Sequence, residues 1–387
     1  MTLMSKDTTV ESVIELLISH GLDGMAQAME ALLNEAMKIE RSKFLQVQPY
    51  ERSELRQDYA NGYKPKQLKT RVGALDLSIP QVRSSEFYPS VLERGIRSER
   101  ALMVSIAEMY LQGVSTRKVK EITEQLCGFE ISSSQVSKAT QRLDNELEGW
   151  RTRAIGKMPY LVFDARYEKV REGGCVIDCA VLIGYGIDEN GKRHILGVSV
   201  SLSEQEVHWR QFMESLVNRG LHGVKLITSD AHSGLKAAKQ AVFPSVPWQR
   251  CQFHLQQNAQ SYVPKKEMKS AVAIDIRSIF NAPDEKEARR LLNIYAEKYQ
   301  STAPKLGQWM RENIQEGLTV MSFPEPHRKR LRTSNMAERV NQSIRTRTKV
   351  ARLFSNTASC LRLVSAILVE IDEEWQSSKA YLPPIEE

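Results

Sequence analysis

No stretch of this sequence approaches the roughly 18 consecutive apolar residues that a membrane-spanning helix requires, so no such span and no membrane partner are expected. Residues 1–13 lack the apolar centre of a secretory signal. Cysteine is scarce, five in 387 residues, an odd number that does not suit the disulfide framework of a secreted scaffold. These absences together predict a soluble chain working in a reducing, cytoplasmic compartment. A phosphate-binding glycine loop of the P-loop type is missing, which argues against an ATP-driven enzyme. There is no Gly-x-Ser-x-Gly elbow either, which argues against a serine hydrolase.

Hydrophobic residues make up 41% of the chain and charged residues 26%, a balance that supports packed cores and excludes general disorder. At roughly 150 residues per domain the length predicts about two or three domains. Lys and Arg number 54 against 47 Asp and Glu, a net charge of +7. That excess is modest, so its placement matters more than its size.

Residues 1–60 read as an N-terminal helical region. Met25, Met29, Leu32, Leu33 and Ala36 recur at three- and four-residue steps, and Gly21 splits the run. Residues 61–96 read as a β-hairpin and connector. Arg71 to Pro80 alternates around Gly73, after a basic surface stretch, Tyr63-Lys64-Pro65-Lys66. Residues 97–150 are helical again. Leu102, Ile106 and Met109 form one stripe, and Ser115 caps a second helix through Val119, Ile122 and Leu126 to Gly128. Ser132 to Lys138 then opens a third. Two readings fit: a helix-turn-helix whose last helix brings Gln135 and Lys138 to DNA, or a three-helix bundle that merely connects.

Beyond Trp150 the pattern changes class. Tyr160 to Phe163, Cys175 to Ile187, Ile195 to Val200, Val224 to Ser229 and Trp248 to Cys251 read as strands. A helix from about Gln205 to Arg219, with Val207, Phe212, Leu216 and Val217 inward, and a short one at Leu235 to Val242 lie between the later strands. Strand, strand, strand, helix, strand, helix, strand is the order of an α/β ribonuclease-H-like core. Its first part spans 151–263. Residues 264–325 form an all-α insertion with Ile274, Ile276, Ile279, Leu291, Leu292 and Tyr295 as apolar positions. The second part, 326–387, holds a basic helix and a C-terminal helix.

Asp164 and Asp230 each follow an apolar strand immediately, and strand ends of an open α/β sheet form the usual site crevice. Neighbouring carboxylates repel unless a cation lies between them, and hard oxygen donors select Mg²⁺ or Mn²⁺. The competing reading is that each Asp only starts a turn or caps a helix. A third acid, Glu338, has two readings. With Asn335 three residues earlier it matches a capping box. On a helical wheel it shares a face with Asn341, Gln342, Arg345, Lys349 and Arg352, while Met336, Val340, Ile344 and Ala351 line the opposite side. Between Arg328 and Arg352 lie nine basic residues, Arg328, Lys329, Arg330, Arg332, Arg339, Arg345, Arg347, Lys349 and Arg352, against that single acid, a local charge of +8. Such a segment suits neutralisation of phosphates. Cys251 and His254 have half the spacing of a zinc site with no second pair to complete it, which leaves His254 to sit beside the carboxylates.

Several ordered blocks resemble the Mutator-like bacterial transposases, also called the insertion-sequence 256 family. They are Asp164 to Arg171, Ser229 to Leu235, Gln249-Arg250-Cys251-Gln252-Phe253-His254, Arg332 to Asn341, and Arg347 to Asn356. Arg332-Thr333-Ser334-Asn335 and Ala231 are mild variants of the family pattern. The resemblance covers about the whole chain. It implies a DDE transposase with Asp164, Asp230 and Glu338 as the acidic triad holding two Mg²⁺ (or Mn²⁺) ions. Cys251 and His254, with Arg250 and Asn335, are then near the site. It further implies double-stranded DNA as partner (terminal inverted repeats and target), a homodimer or larger assembly on it, and work at the bacterial nucleoid. It makes Trp309, in the insertion, a residue that related enzymes place against distorted DNA, with core packing as the plainer role. A catalytically silent DNA-binding regulator and a ribonuclease-H-like nuclease are the alternatives.

Overall fold

The computed structural model describes residues 7–384, apart from 84, 85, 93, 95–97 and 142. The first six residues, part of the N-terminal stretch read above, lie outside it. The chain divides into two compact units, Met1–Arg142 and Leu143–Glu387. Among the described residues no helix is long and apolar enough to cross a membrane.

In the first unit, α1 (Asp7–His20) and α2 (Met25–Leu45) are separated by a 3-10 turn at Gly21, as the glycine predicts. The inward face differs from the expected one. Met29 and Leu32 are exposed, while Ala28, Met37 and Leu45 are buried. The apolar spacing fixes a helix, but residues on either flank of its stripe compete for the inward side. Strands β1 (Ala60–Thr70) and β2 (Gly73–Val82) pair antiparallel. Tyr63-Lys64-Pro65-Lys66 lies at the surface as expected, within β1, and its register runs through Pro65 opposite Ser78. Proline is tolerated on this two-stranded sheet because the missing N–H falls on an edge. Leu75, Leu77 and Ile79 alternate inward against Met37 and Leu33.

Three helices follow: α3 (Arg100–Leu111), α4 (Thr116–Cys127) and α5 (Ser133–Gln141). Ser115 caps α4 by accepting from Lys118 N, and Gly128 ends it with φ +69°. Leu102, Ile106, Val119 and Val136 are buried between them, whereas Leu126 is 73% exposed.

The second unit opens with α6 (Asp144–Thr152), which the helical region 97–150 had included. Its contacts explain the assignment: Arg362 forks onto Asp144 at 2.6 and 2.8 Å, and Trp150 Nε1 donates to Asp372. Strands β3 (Tyr160–Glu172), β4 (Cys175–Ile187) and β5 (Arg193–Ser201) form an antiparallel meander. α7 (Glu206–Asn218) leads to β6 (Leu226–Ser229), and α8 (Ser233–Val242) to β7 (Trp248–Arg250). The sheet order is β5-β4-β3-β6-β7, with β6 and β7 parallel to β3. Phe163, Trp209, Phe212 and Leu216 fill the layer between sheet and helices. Trp209 and Met213 take the inward places on α7, whereas Val207 and Val217 face out.

An all-helical block follows: α9 (Gln252–Ala259), α10 (Met268–Phe280), α11 (Glu285–Lys298) and α12 (Pro304–Asn313). They share a core of Leu255, Ile276, Leu292, Leu306 and Met310 that starts before residue 264. Ile274, expected in that core, is 59% exposed. Trp309 is buried and stacks on Tyr262 at 5.5 Å, which is core packing. The chain returns through α13 (Glu325–Leu331), α14 (Asn335–Ala351) and α15 (Thr357–Ser377).

Asp372 on α15 joins three elements. Its carboxylate accepts from Ile195 N on β5 at 2.8 Å, from Trp150 Nε1 at 3.3 Å and from Arg153 Nη2 at 2.8 Å. Asp372→Ala strands a desolvated guanidinium and a buried amide, and removing one partner of a buried pair costs about 3 kcal/mol. A lowered chemical-denaturation midpoint of that size is expected; an unchanged midpoint would show that the hub is not structural.

Candidate active site

The site is built on β3. Phe163 is its last residue paired with β6, opposite Ser229, so Asp164 and Asp230 are the next residues of both strands. Adjacent strands lie about 4.8 Å apart, and in-register continuation sets the two carboxylates side by side. Asp164 is not at the strand's end, as the apolar run predicted; it sits in mid-strand, opposite Ile183 of β4. What stops at this point is β6, and its ending opens the cavity. Asp164 and Asp230 both line this space of about 320 Å³, with Glu204, His232, Trp209 and Arg250.

Loss of solvation pushes the Asp164 carboxyl up to about 7, and the negative charges of Asp230 and Glu204 add to the rise. A hydrogen bond from Asn341 and the charge of His254 oppose it. Asp230 is about half exposed and accepts from Ala231 N at 3.1 Å. His254 Nδ1 is buried without a hydrogen-bond partner, 3.5 Å from Asp230 Oδ1. A hydrogen bond with Cys251 is the main cause that lifts His254 to about 9; burial opposes it, and the charges of Cys251, Asp230 and Asp164 reinforce it. Burial pushes the Cys251 thiol up, but hydrogen bonds from His254 and Ser334 outweigh it and leave the thiol lowered. Cys251 Sγ accepts from both the amide and the hydroxyl of Ser334. The cysteine thus ties the end of β7 to the start of α14, and its sulfur is committed there.

Helix α14 docks along β3 through polar pairs. Asn341 Nδ2 donates to Asp164 Oδ2 and Thr348 Oγ1 to Glu168 Oε1, with Arg166 between them donating to Asn341 O and pairing with Glu168. Asp164, Arg166 and Glu168 alternate on one face of the strand, and Asn341 and Thr348 are two turns apart on the helix, so strand and helix periods match over this span. Asn341 therefore belongs to the docked side of α14, not to the open face the wheel gave it. Met336, Val340 and Ile344 are buried as expected; the side chain of Ala351 lies outside the described residues.

Glu338 is exposed on α14, one turn before Asn341. The capping-box reading fails: the N-cap is Ser334, with Asn335 already inside the helix. Among the described residues no three His, Cys, Asp or Glu side chains are grouped to hold a metal ion. The structure brings Asp164 and Asp230 into one cavity and leaves Glu338 on the helix that touches Asp164.

The basic residues divide into two sets. Arg328 donates to the carbonyls of Phe323 and Pro283, Arg332 to Asn281, and Arg347 forks onto Glu370 at 2.6 and 3.0 Å. Arg250 is buried and pairs with Glu316 and Asn313. These four bind the protein to itself. Lys329, Arg330, Arg339, Arg345, Lys349 and Arg352 are exposed and have no ion pair among the described residues. In the first unit, Gln135 exchanges hydrogen bonds with Ser132 at the start of α5, while Lys138 is exposed. Gln135 also lines a groove with Lys64, Lys66 and Lys69 of β1.

The reading of the residues did not find Glu204. Its backbone packs against the start of α8, where a Cβ on Gly234 would lie 2.3 Å from Glu204 O, so glycine permits the close approach that brings this acid beside Asp230. Glu204 lies three residues past the end of β5, whereas Asp230 follows β6 directly.

The chain resembles known proteins over its whole length. The profile described as Transposase, Mutator family, matches residues 2–378. The transposase for insertion sequence element IS406 of Burkholderia multivorans is 54% identical over 99% of both chains. That for ISRM5 of Rhizobium meliloti is 42% identical over 99% of this chain and 96% of its own. The transposase for IS256 in transposon Tn4001 of Staphylococcus aureus is 38% identical over 97% of each. A chain of the simian T-cell lymphotropic virus intasome in complex with PP2A regulatory subunit B56 gamma aligns over 57% of this chain at 11% identity with a TM-score of 0.19, too slight to bear on the fold. The identities at this coverage, with the matched profile, place the chain in the Mutator family of transposases.

Proposed function

We propose that this transposase nicks the ends of an insertion sequence and joins the freed 3′-hydroxyl to target DNA, with Asp164, Asp230 and Glu338 as its acidic triad. The observation that carries the reading is the shared cavity of Asp164 and Asp230, with Asp164 hydrogen-bonded to Asn341 of the helix that also carries Glu338. The sheet order, three antiparallel strands followed by two parallel ones on the other side of β3, supports a ribonuclease-H-like core.

The donor set fits Mg²⁺ or Mn²⁺: the cavity offers hard carboxylate oxygens from Asp164, Asp230 and Glu204, while the soft sulfur of Cys251 is engaged by Ser334. Bound divalent cations, two per site, would lower the pKa of attacking water or 3′-hydroxyl and offset charge on the phosphate. The chain's own residues do the positioning. Asn341 fixes one oxygen of Asp164, leaving the other toward the cavity. His254 stands against Asp230, its Nδ1 3.5 Å from Oδ1, and positions that carboxylate. Lys329, Arg330, Arg339, Arg345, Lys349 and Arg352 line up along the entering strand as phosphate partners. Helices α3 to α5 are the helix-turn-helix that reads the terminal inverted repeats, with Lys138 and Gln135 at the last helix. Both ends must be held together for joining, so the working form is a homodimer or larger assembly on DNA.

Incubating the protein with labelled inverted-repeat DNA and Mg²⁺ tests this: joined products support it, cleavage without joining points to a nuclease, and binding alone to a regulator. Asp164→Asn is expected to abolish nicking and joining with end binding kept within a few fold; full strand transfer by that variant would sink the triad. Asn341→Ala, which frees Asp164 from its anchor, is expected to lower the nicking rate about tenfold or more, in line with loss of a charge-assisted hydrogen bond, with end binding unchanged. An unaltered rate would remove Asn341 from the site.

A further inference from the structure

Separate from the cavity of Asp164 and Asp230, the second unit holds a hollow of about 210 Å³. Arg193, Lys329, Arg330, Arg332 and Arg339 converge on it, with Tyr381 as one wall. Among the described residues no carboxylate lines it. Like charges gathered in this way repel one another, and a fold holds them together at a cost that an incoming anion removes. These side chains are oriented without being neutralised. Arg193 lies over the rings of Trp375 and Tyr381 at 4.3 and 4.9 Å, Arg330 over Tyr381 at 4.8 Å, and Arg332 donates to the Asn281 amide. Burial works against the charge of Arg193, as do the neighbouring Arg339 and Arg330; Tyr381 and Glu374 favour it.

The hollow has a fixed place beside the catalytic cavity. Asn335 and Arg339 of α14 line it. At about 100° per residue, Glu338 falls midway round the helix between Asn335 and Asn341, about 60° from each. Asn341 touches Asp164. Glu338 is therefore flanked by the cationic hollow on one side and by Asp164 on the other. A second link runs through the backbone: Gln252 N donates to Arg332 O, and Ser334 holds Cys251, three residues from His254. Tyr381 is set by the turn at Gly191, whose carbonyl accepts from the amides of Tyr381 and Leu382. That turn has no room for a side chain, since a Cβ on Gly191 would lie 2.1 Å from Leu382 O.

We propose that this hollow is a phosphate subsite, built by Arg193 and Tyr381 together with Arg330 and Arg339, that grips a backbone phosphate of the same DNA strand near the reacting one. Guanidinium forks recognise phosphate oxygens in pairs, which suits three arginines turned toward one space. The subsite rests on the DNA-joining function proposed above and adds to it a place where the strand is held in register. Its role is binding and alignment, so the phosphate gripped here is not the one that reacts.

The test uses the full-length protein, Mg²⁺ and inverted-repeat DNA in which single phosphates are replaced, one at a time, by neutral methylphosphonate. In the wild type, one or two positions beside the cleavage site are expected to slow nicking about tenfold or more. Arg193→Gln is expected to slow nicking of unmodified DNA by a similar factor and to lose sensitivity to those same positions. The salt dependence of DNA binding should also fall by about one ion. Because Arg193 also packs on Trp375, Arg330→Gln and Arg339→Gln provide the same measurement from exposed side chains. If all three variants keep the wild-type position profile, the subsite is wrong. Inhibition by free inorganic phosphate without any position effect would likewise overturn it, in favour of a small-anion site. Asp164→Asn separates the two ideas: its retained nicking would end the catalytic reading, while the position effect on DNA binding would still report on the hollow.

Discussion

The second unit is organised around the cost of placing negative charge on the central strand of a hydrophobic sheet. Asp164 follows directly on Phe163, which is wholly buried against Trp209 and Phe212. A carboxylate in that position loses solvation and faces Asp230 across the strand gap. The surroundings answer in several ways. Asn341 donates to one oxygen, His254 brings positive charge to Asp230, and Arg166 fixes the helix that carries Asn341. Among the described residues, neither acid forms an ion pair with a lysine or arginine. Arg250, the one guanidinium lining the cavity, is held by Glu316 and Asn313.

That distribution of charge also separates framework from interface. Arg328, Arg332 and Arg347 lie in the same basic segment as Lys329, Arg339 and Arg345, yet each of the first three is spent on a carbonyl, an amide or a carboxylate of the protein. A run of like charge in sequence becomes, in the fold, one set of side chains bonded to the protein and another left exposed. The all-helical block from α9 to α12 keeps its own apolar centre, so it interrupts the α/β unit without having to borrow the sheet's core.

Much of this was readable from residue order. The strands of the second unit contain apolar runs, and β4 spans Cys175–Ile187 as its composition predicts. Asp164 was found but misplaced along its strand, because β3 continues past the apolar run as Ala165-Arg166-Tyr167-Glu168, polar residues that pair with α14. Such pairing depends on a partner far away in sequence and leaves no local periodicity. Helix faces were assigned less well than helices. Val207 and Val217 flank the stripe that Trp209, Phe212, Met213 and Leu216 occupy, and the larger side chains win the interior. Glu204 escaped notice because Leu202 and Ser203 separate it from its strand, so no apolar run ends on it.

The pairing of β3 with β6 spans only four residues, from Tyr160 opposite Leu226 to Phe163 opposite Ser229. Side chains of a strand point alternately to opposite faces, so sliding β3 by a single step would exchange Phe163 for Asp164 in the layer filled by Trp209 and Phe212. Hydrophobic packing of one aromatic ring thereby sets the aim of its acidic neighbour. The seat of the ring and the direction of the carboxylate are thus one constraint, set by four paired residues.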